Sequence, residues 1–275
     1  MTDQASISND NSQFWNELCG SQAARALGVT DSSPPSLKKF DDWYFNFYPY
    51  LLDHIQLNEL KNKKVLEIGL GYGTVSQRLA ESGCHYTGLD IADGPVKMVN
   101  SRLKQNGLAG EAIQGSILSP PFAPRSFDAI VAIGCLHHTG NLNSAIQNCH
   151  ALLNPGGKLI FMVYSAYSYR RWWNDRSLTF NYLVKEMAGY RGPVSASKAE
   201  ERAAYDTLSD GTAAPHTDFV SIKSMKRLCA EFSSFRGNYE NINQEPPFQN
   251  RKREELLKTI WPRLAGLDLY AVATK

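Results

Sequence analysis

The sequence predicts an α/β fold with a doubly wound, mostly parallel sheet and helices on both faces. Three observations carry this prediction. Strand-like and helix-like segments alternate from residue 63 to residue 164, a glycine-rich turn follows the first strand, and an acidic residue ends the second. The 275 residues, 43% of them hydrophobic and 20% charged, suit a globular domain with extensions.

The elements of this core follow in order along the chain. Buried or alternating runs predict strands at Val65–Ile68, Tyr86–Asp90, Glu111–Gln114, Phe127–Ile133 and Lys158–Tyr164. Helical spacing of apolar residues predicts helices at Thr74–Glu81, Pro95–Gln105 and Asn141–Leu153.

Segments outside the core complete a four-part organisation. Residues 1–60 are expected to form a helical cap, with a loose Met1–Gln13, a short helix over Phe14–Leu27 and an amphipathic helix over Ser36–Ile55 interrupted by Pro49. Residues 61–164 are the core, and residues 165–220 form a mostly helical insertion after the fifth strand.

Residues 221–275 are expected to complete the sheet. Helices are predicted at Ser221–Phe232, capped by Thr217 or Asp218, and at Arg251–Trp261, ended by Pro262. Strands are predicted at Phe235–Ile242 and Leu267–Thr274.

The glycine turn indicates the charge of a ligand. Gly69, Gly71 and Gly73 alternate as G-x-G-x-G, whereas a dinucleotide site has G-x-G-x-x-G. Glu67 stands two residues before the first glycine, where a carboxylate would repel a pyrophosphate and attract a cation. Asp90 ends the next strand, 23 residues after Glu67 (90 − 67), close to where nucleotide-binding sheets place an acid that accepts bonds from ribose hydroxyls.

These motifs resemble those of the class I, Rossmann-like S-adenosylmethionine-dependent methyltransferases of small molecules. The resemblance covers about Lys63–Tyr164 and includes Asn154-Pro155-Gly156-Gly157, which matches the family's L-x-P-G-G before the fifth strand. It implies a seven-stranded sheet, with the seventh strand antiparallel between the fifth and sixth. It also implies S-adenosylmethionine as cofactor and S-adenosylhomocysteine as product.

From the resemblance and the positions of the strand ends, we expect the following residues to bind the cofactor. They are Tyr44, Glu67, Gly69, Gly71, Gly73, Asp90, Ile91, Ser116, Ile117, Gly134 and Leu136. Ser116 departs from the family pattern, which often has an acid there, and serine is a weaker acceptor for the adenine amino group. The backbone N–H of Ile117 is an alternative hydrogen-bond donor to the adenine.

His137 and His138 are the candidate catalytic residues. They follow the fourth strand, and ligands of open α/β sheets bind at the carboxyl ends of strands. Imidazole titrates near neutrality and can accept a proton from, or orient, a methyl acceptor. The alternative is structural, with one histidine packed under the sheet edge and the other bonded to a loop carbonyl.

The substrate candidates are Tyr48, Tyr167 and His216. Tyr44 and Tyr48 are one helical turn apart and share a face, which suits a lid over the sulfonium or simple packing against the sheet. Tyr167 belongs to an aromatic run after the fifth strand that fits a substrate wall or a subunit contact. His216 either reaches the pocket or belongs to a helix cap.

The predicted function is methyl transfer from S-adenosylmethionine to O, N or C of a small-molecule metabolite. The alternative is a non-catalytic S-adenosylmethionine-binding or scaffolding protein of the same fold. A nucleic-acid substrate is disfavoured by the net charge of +2 and by Gly134-Cys135-Leu136-His137, where DNA-amino methyltransferases carry an N/D-P-P-Y/F motif. The glycine spacing disfavours a nicotinamide-dependent oxidoreductase.

Cysteine usage and hydropathy set further expectations. Cys135, His137, His138, Cys149 and His150 have the wrong spacing for a closed zinc site, so no metal is expected. The apolar run Leu159–Val163 is too short to span a bilayer, and no membrane association or signal peptide is expected. Five scattered cysteines favour reduced thiols and a cytoplasmic location. A monomer or homodimer is expected.

Overall fold

A mixed sheet of nine strands forms the centre of the protein in this computed structural model, which describes residues 4–275. The strands are β1 Lys64–Ile68, β2 His85–Asp90, β3 Glu111–Gln114, β4 Phe127–Ile133, β5 Leu153–Ser165, β6 Val194–Ser195, β7 Asp218–Val220, β8 Ser234–Glu240 and β9 Asp268–Thr274.

Thirteen α-helices in the same residues surround the sheet, and three short 3-10 helices lie between elements. They are α1 Gln4–Phe14, α2 Ser21–Ala26, α3 Pro34–Phe47, α4 Leu51–Ile55, α5 Thr74–Glu81, α6 Asp93–Gln105, α7 Leu142–Leu152, α8 Tyr169–Asn174, α9 Arg176–Met187, α10 Ala199–Ala203, α11 Ile222–Leu228, α12 Arg253–Leu256 and α13 Trp261–Ala265. None of the helices in residues 4–275 has the length and apolar character needed to cross a membrane.

The strand order confirms the predicted fold class. Strands β3, β2, β1, β4 and β5 are parallel neighbours in that order. Strand β9 then runs antiparallel between β5 and β8. These seven strands are those of the prediction. The insertion adds β6 and β7, and β7 pairs in parallel with the end of β5 through Tyr164 and Ser165.

Continuous apolar runs explain why the central strands lie inside. Val65, Leu66 and Ile130 are essentially inaccessible, as expected for parallel strands covered on both faces. One apolar cluster packs the sheet against α7 and α11, and a second packs the other face against α4, α5 and α6. The layers hold the carboxyl ends of β1, β2 and β4 at one edge.

The cap differs from its prediction in the first helix. Helix α1 covers Gln4–Phe14, all but its last residue in the segment predicted to be loose, while Met1–Asp3 lie outside the described residues. The side chains of Gln4, Asn11 and Ser12 donate to the carbonyls of Thr139, His138 and Ile91. These contacts join segments distant in sequence, so a local pattern could not reveal them.

The rest of the cap is also interrupted. The predicted helix over Phe14–Leu27 is broken into a 3-10 turn and α2, because Leu18 and Gly20 adopt positive φ angles of 69° and 89°. Helix α3 ends at Phe47, before Pro49, as the proline predicted.

Three details of the C-terminal part were predicted wrongly. Asp218 lies in β7, and the cap of α11 is Ser221, whose hydroxyl accepts from the Ser224 amide. The predicted helix over Arg251–Trp261 is two short helices, α12 and α13. Pro262 lies in the first turn of α13, where its missing N–H has no intrahelical partner to lose, so it begins that helix.

Candidate functional site

A cavity of about 220 Å³ opens at the carboxyl edge of the sheet, between the core and the cap. Strand ends and following loops form its floor, and α1, the 3-10 turn and α3 form its cover. Of the residues predicted from the sequence, the wall contains Tyr44, Tyr48, Glu67, Gly69, Gly71, Asp90, Ile91, Ser116, Ile117, Gly134, Leu136 and His138.

The glycine turn after β1 gives the cavity an open floor. Gly69 and Gly71 have φ angles of 77° and 50°, a region that favours glycine. A Cβ at Gly71 would be in ordinary contact with Cys19 of the cap at 3.8 Å, so a side chain there would project across the cavity between its floor and its cover. Gly73, also predicted as a cofactor contact, is not in the wall. It lies at the N-cap of α5 with its α-carbon facing Val99 and Arg102.

Glu67 ends β1 inside the cavity wall. Its side chain is buried, and the Tyr86 hydroxyl donates to Oε2 at 2.6 Å. Burial raises the pKa of this carboxyl to about 7. A cation placed beside Glu67 would stabilise its ionised form.

Asp90 joins the second strand to the glycine turn. Its two oxygens accept from the Leu70 amide at 2.7 Å and the Ala92 amide at 2.9 Å. Burial raises the pKa of Asp90 to about 6, opposed by these backbone hydrogen bonds. Each carboxylate oxygen has a further lone pair, so Asp90 can shape the turn and still accept from a ligand hydroxyl.

The end of β3 places Ser116 and Ile117 at the far side of this floor. The Ser116 hydroxyl accepts from the Leu118 amide at 3.1 Å, so it is already engaged by its own loop. The Ile117 carbonyl accepts from the Asn148 side chain at 2.8 Å. These bonds hold the loop in place beside Asp90, whose carbonyl accepts from the Gly115 amide.

The two histidines after β4 have different environments. His138 lines the cavity, and its Nδ1 lies 2.7 Å from the His216 carbonyl. A carbonyl only accepts, so Nδ1 carries the proton and Nε2 is the nitrogen left for other chemistry. Nε2 lies 3.4 Å from Oδ2 of Asp206.

His137 is outside the cavity wall. It is fully buried, with its ring 4.1 Å from those of Tyr164 and His138. Neither ring nitrogen has a hydrogen-bond partner among the described residues. Burial lowers the pKa of His137 well below its usual range, which favours a neutral packing residue. Gly134 and Leu136 of the same loop do line the cavity.

Aromatic residues of α3 cover the opposite side. Phe40, Trp43, Tyr44 and Tyr48 line the cavity, and the rings of Tyr44 and Tyr48 are 5.0 Å apart. Burial raises the pKa of both tyrosine hydroxyls, so they are neutral. The predicted shared face of these two tyrosines is therefore turned to the cavity.

Tyr167 and His216 do not contribute side chains to the wall. The Tyr167 hydroxyl donates to Glu186 at 2.9 Å, within the insertion. The His216 ring lies 3.0 Å from Asp218, and only its carbonyl reaches toward the site, through His138. The structure separates these two predicted substrate residues from the cavity.

The sequence did not single out three groups that the structure brings to the site. Asn11 and Trp15 of the cap line the cavity, and the Trp15 ring is 4.9 Å from that of His138. Asp206 comes from the insertion, where it accepts from the Tyr164 hydroxyl at 2.8 Å. An isolated acid in a polar segment carries no periodic signal, so Asp206 could be found only from the fold. No group of three potential metal ligands comes together within residues 4–275.

Comparison with known proteins agrees with this geometry. Residues 66–161 match a family model described as a methyltransferase domain. The chain is 35% identical over 120 residues to a ubiquinone biosynthesis O-methyltransferase from Actinobacillus pleuropneumoniae, covering 41% of this chain and 51% of that one. It thus spans about half the length of the curated relatives it matches.

Solved structures show that the fold is shared. An S-adenosylmethionine-dependent methyltransferase from Methanosarcina mazei superposes with a TM-score of 0.52 at 19% identity, over 78% of this chain and 93% of that one. One from Mesorhizobium loti has a TM-score of 0.51 at 14% identity, over 82% and 97%.

Proposed function

We propose that this chain, whose residues 66–161 match the model of a methyltransferase domain, is a class I S-adenosylmethionine-dependent methyltransferase that methylates O, N or C of a small-molecule metabolite. The observation that carries the proposal is the continuity of one cavity. It runs from Glu67, Asp90 and the glycine turn to Tyr44, Tyr48 and His138. A cofactor end and an acceptor end thus share one cavity.

The residues of the cofactor end fit S-adenosylmethionine. Asp90 supplies an acceptor suited to ribose hydroxyls, and Glu67 supplies negative charge suited to the amino group and sulfonium. Gly71 leaves the space that a side chain would fill. When bound, this cofactor supplies an electrophilic methyl group on a sulfonium.

The chain's own residues position the methyl acceptor, cover it and remove its proton. The cap covers part of the cavity with Trp15 and α3, which reduces the contact of the acceptor end with bulk water. The His216 carbonyl holds His138 with Nδ1 protonated, which leaves Nε2 to accept a proton. A base here suits an acceptor hydroxyl, and the relatives named O-methyltransferases support that choice.

Calorimetry and mass spectrometry test this proposal. We expect S-adenosylmethionine and S-adenosylhomocysteine to bind, and NAD not to bind. Incubation with S-adenosylmethionine and fractionated metabolites should then give S-adenosylhomocysteine and a product heavier by one CH₂ unit. Preference for NAD would contradict the cofactor assignment. Binding without transfer to any fraction would favour the non-catalytic alternative.

We also propose a cytoplasmic location for the enzyme. The support is that all five cysteines, which lie within the described residues, are unpaired. Fractionation of cells expressing the chain tests this location.

A further inference from the structure

One face of helix α1 is turned to the cavity. Ser8, Asn11 and Trp15 follow one another at helical spacing, and all three line the wall. Asn11 is the most informative of them, because its side chain is polar and only 3% of the residue remains exposed. Polar groups buried to this degree are normally hydrogen-bonded, so both polar atoms of this side chain need a partner.

The two polar atoms of Asn11 differ in their surroundings. Nδ2 donates to the backbone carbonyl of His138 at 2.7 Å. Since a carbonyl oxygen can only accept, this bond fixes which end of the amide faces His138 and turns Oδ1 away from it. Oδ1 is buried and has no hydrogen-bond partner among the residues that the structure describes. The side chain thus brings to the cavity wall an acceptor that the fold orients and leaves for a ligand.

Helix α1 is tied to the loops on both sides of Asn11. One tie is the bond to the His138 carbonyl, in the loop after β4. On the other side, the Ser12 hydroxyl donates to the Ile91 carbonyl, after β2, at 3.1 Å. The same Ile91 carbonyl accepts from the Gln114 side chain, at the end of β3, at 3.0 Å. Asn11 therefore lies where the segments that follow β2, β3 and β4 come together.

The covalent order of S-adenosylmethionine assigns one part of the ligand to this region. Its ribose carries the sulfonium arm on one side and the adenine on the other. With the ribose held by Asp90 and the sulfonium near Glu67, the adenine is directed past Asp90 toward Ile91 and the loop after β3. That is the region that Asn11 covers. An adenine attached to ribose has its exocyclic amino group as its N–H donor.

Other acceptors in the loop after β3 are already engaged. The Ser116 hydroxyl accepts from the Leu118 amide at 3.1 Å. The carbonyls of Ile117 and Leu118 accept from the Asn148 side chain at 2.8 and 3.1 Å. The backbone N–H of Ile117 is a donor, which suits a ring nitrogen of adenine and not its amino group. Oδ1 of Asn11, in contrast, has an empty place for a donor.

We propose that Asn11 of α1 binds the exocyclic amino group of the cofactor's adenine through Oδ1. The inference rests on the proposed function, since it names a further residue for the cofactor of the same cavity. It gives the cap a part in selecting the purine, beside the cover that it provides. A purine with oxygen in place of this amino group would set two acceptors against each other, so nucleosides of the hypoxanthine and guanine type are disfavoured.

Two ligands compared by calorimetry test the inference. They are S-adenosylhomocysteine and its deamino analogue, in which hydrogen replaces the amino group. We expect the wild-type protein to bind S-adenosylhomocysteine about tenfold more tightly, because the analogue leaves Oδ1 buried without a donor. Asn11→Leu removes the acceptor at nearly constant size and should reduce this difference to within about threefold. An undiminished difference in folded Asn11→Leu would overturn the inference.

Gln4→Leu is the matched control. Gln4 carries an amide on the same helix, its Nε2 donates to the Thr139 carbonyl at 2.8 Å, and it lies outside the cavity wall. The variant therefore loses the same kind of anchoring bond as Asn11→Leu, and we expect it to keep the wild-type difference between the two ligands. Loss of the difference in both variants would assign it to the placement of α1 and would overturn the role of Oδ1.

Ser116→Ala tests the competing acceptor. We expect this variant to keep most of the difference between the two ligands. If the difference disappears in Ser116→Ala and persists in Asn11→Leu, the amino group belongs to Ser116 and the inference is overturned. If Asn11→Leu does not fold, Asn11→Ser, which is smaller and polar, takes its place in the same comparison.

The wild-type titrations separate the inference from the proposed function. Equal affinities for S-adenosylhomocysteine and its deamino analogue would overturn the inference and leave the cofactor assignment standing. Failure of both ligands to bind the wild-type protein would overturn the cofactor assignment and the inference together.

Discussion

The cofactor end and the acceptor end of the cavity are built in different ways. The cofactor end uses short segments directly after core strands, with Glu67 and the glycine turn after β1 and Asp90 ending β2. The acceptor end, where Tyr44, Tyr48 and His138 line the cavity, combines α3 with the loop after β4, and Asp206 of the insertion lies behind it, 3.4 Å from Nε2 of His138. The first depends on backbone geometry, and the second depends on tertiary assembly.

Under the proposed function, this difference separates the residues that hold the cofactor from those that select the acceptor. Backbone turns and strand ends are positioned by the sheet itself, so any acceptor can be served by the same cofactor end. Loops and caps can vary without disturbing that sheet. Variants that affect one end and spare the other therefore test the comparison, and they follow here in order of their expected effect on cofactor affinity.

The largest loss should come from Gly71→Val. The substitution places a branched side chain at a φ of 50° and in the open floor of the cavity, which costs backbone strain and ligand space. We expect cofactor affinity to fall by roughly a hundredfold or more in calorimetry, with the fold retained. The matched control is Gly28→Val, which has a similar φ of 69° but lies outside the cavity wall. Wild-type affinity in Gly71→Val would remove the turn from the site.

Asp90→Ala should have the next largest effect. It removes an acceptor that is charge-assisted when ionised, worth about 1.5–3 kcal/mol, which corresponds to a roughly tenfold to hundredfold loss of cofactor affinity. Part of that loss comes from the Leu70 amide, which would lose its partner in the turn. Asp93→Ala is the control, because Asp93 is a nearby acid that pairs with Lys97 on α6 outside the wall. A loss below about twofold in folded Asp90→Ala would contradict the ribose role.

Lowering the pH should weaken cofactor binding by less than either of these substitutions does. The pKa of Asp90 is raised to about 6 and that of Glu67 to about 7, so both become protonated as the pH falls from about 8 to about 5. A cationic cofactor prefers the ionised carboxylates, and the protonation of Asp90 alone predicts about a tenfold loss of affinity by about pH 5.

The free energy of unfolding of the cofactor-free protein should instead decrease as the pH rises. Groups whose pKa is raised by folding contribute stability that is present below their unfolded pKa of about 4 and is lost as the pH rises through 6–7. Thermal shifts caused by the cofactor should therefore be larger at about pH 8 than at about pH 5.5. Asp90→Asn with Glu67→Gln should flatten this pH dependence, and an unchanged slope in that variant would assign the effect to other groups.

The sequence located the floor of the cavity because the signals there are local. A strand, alternating glycines and an acid after the next strand define this end without knowledge of the rest of the fold, and Glu67, Gly71 and Asp90 all line the cavity. Gly73 was predicted with the other two glycines but does not line the cavity, because it begins α5 and packs against Val99 and Arg102 of α6. The seven core strands followed from the alternation of periodicities.

The acceptor end was predicted only in part because its contacts are long-range. Tyr44, Tyr48 and His138 could be named from helix spacing and strand-end position. Asp206 lies 68 residues from His138 (206 − 138), and only the folded insertion brings the two side chains to 3.4 Å. Tyr167 and His216 were named as substrate residues from the same polar, aromatic segment, yet their side chains turn to Glu186 and Asp218.

His138→Ala should have the smallest effect on cofactor affinity and a large effect on turnover. The ring lines the acceptor end, and neither of its nitrogens is a partner of the glycine turn or of Asp90. We expect cofactor affinity to change by less than about threefold, while methyl transfer falls by roughly a hundredfold if Nε2 accepts the acceptor's proton.

His137→Ala is the matched control, because the His137 ring is buried outside the cavity wall. It should lower the melting temperature and preserve transfer in the protein that remains folded. Single-turnover measurement of S-adenosylhomocysteine, beside calorimetry on the same preparations, separates the two effects. Equal loss of affinity and transfer in His138→Ala, or abolished transfer in folded His137→Ala, would show that the two ends of the cavity are not independent in the way their construction indicates.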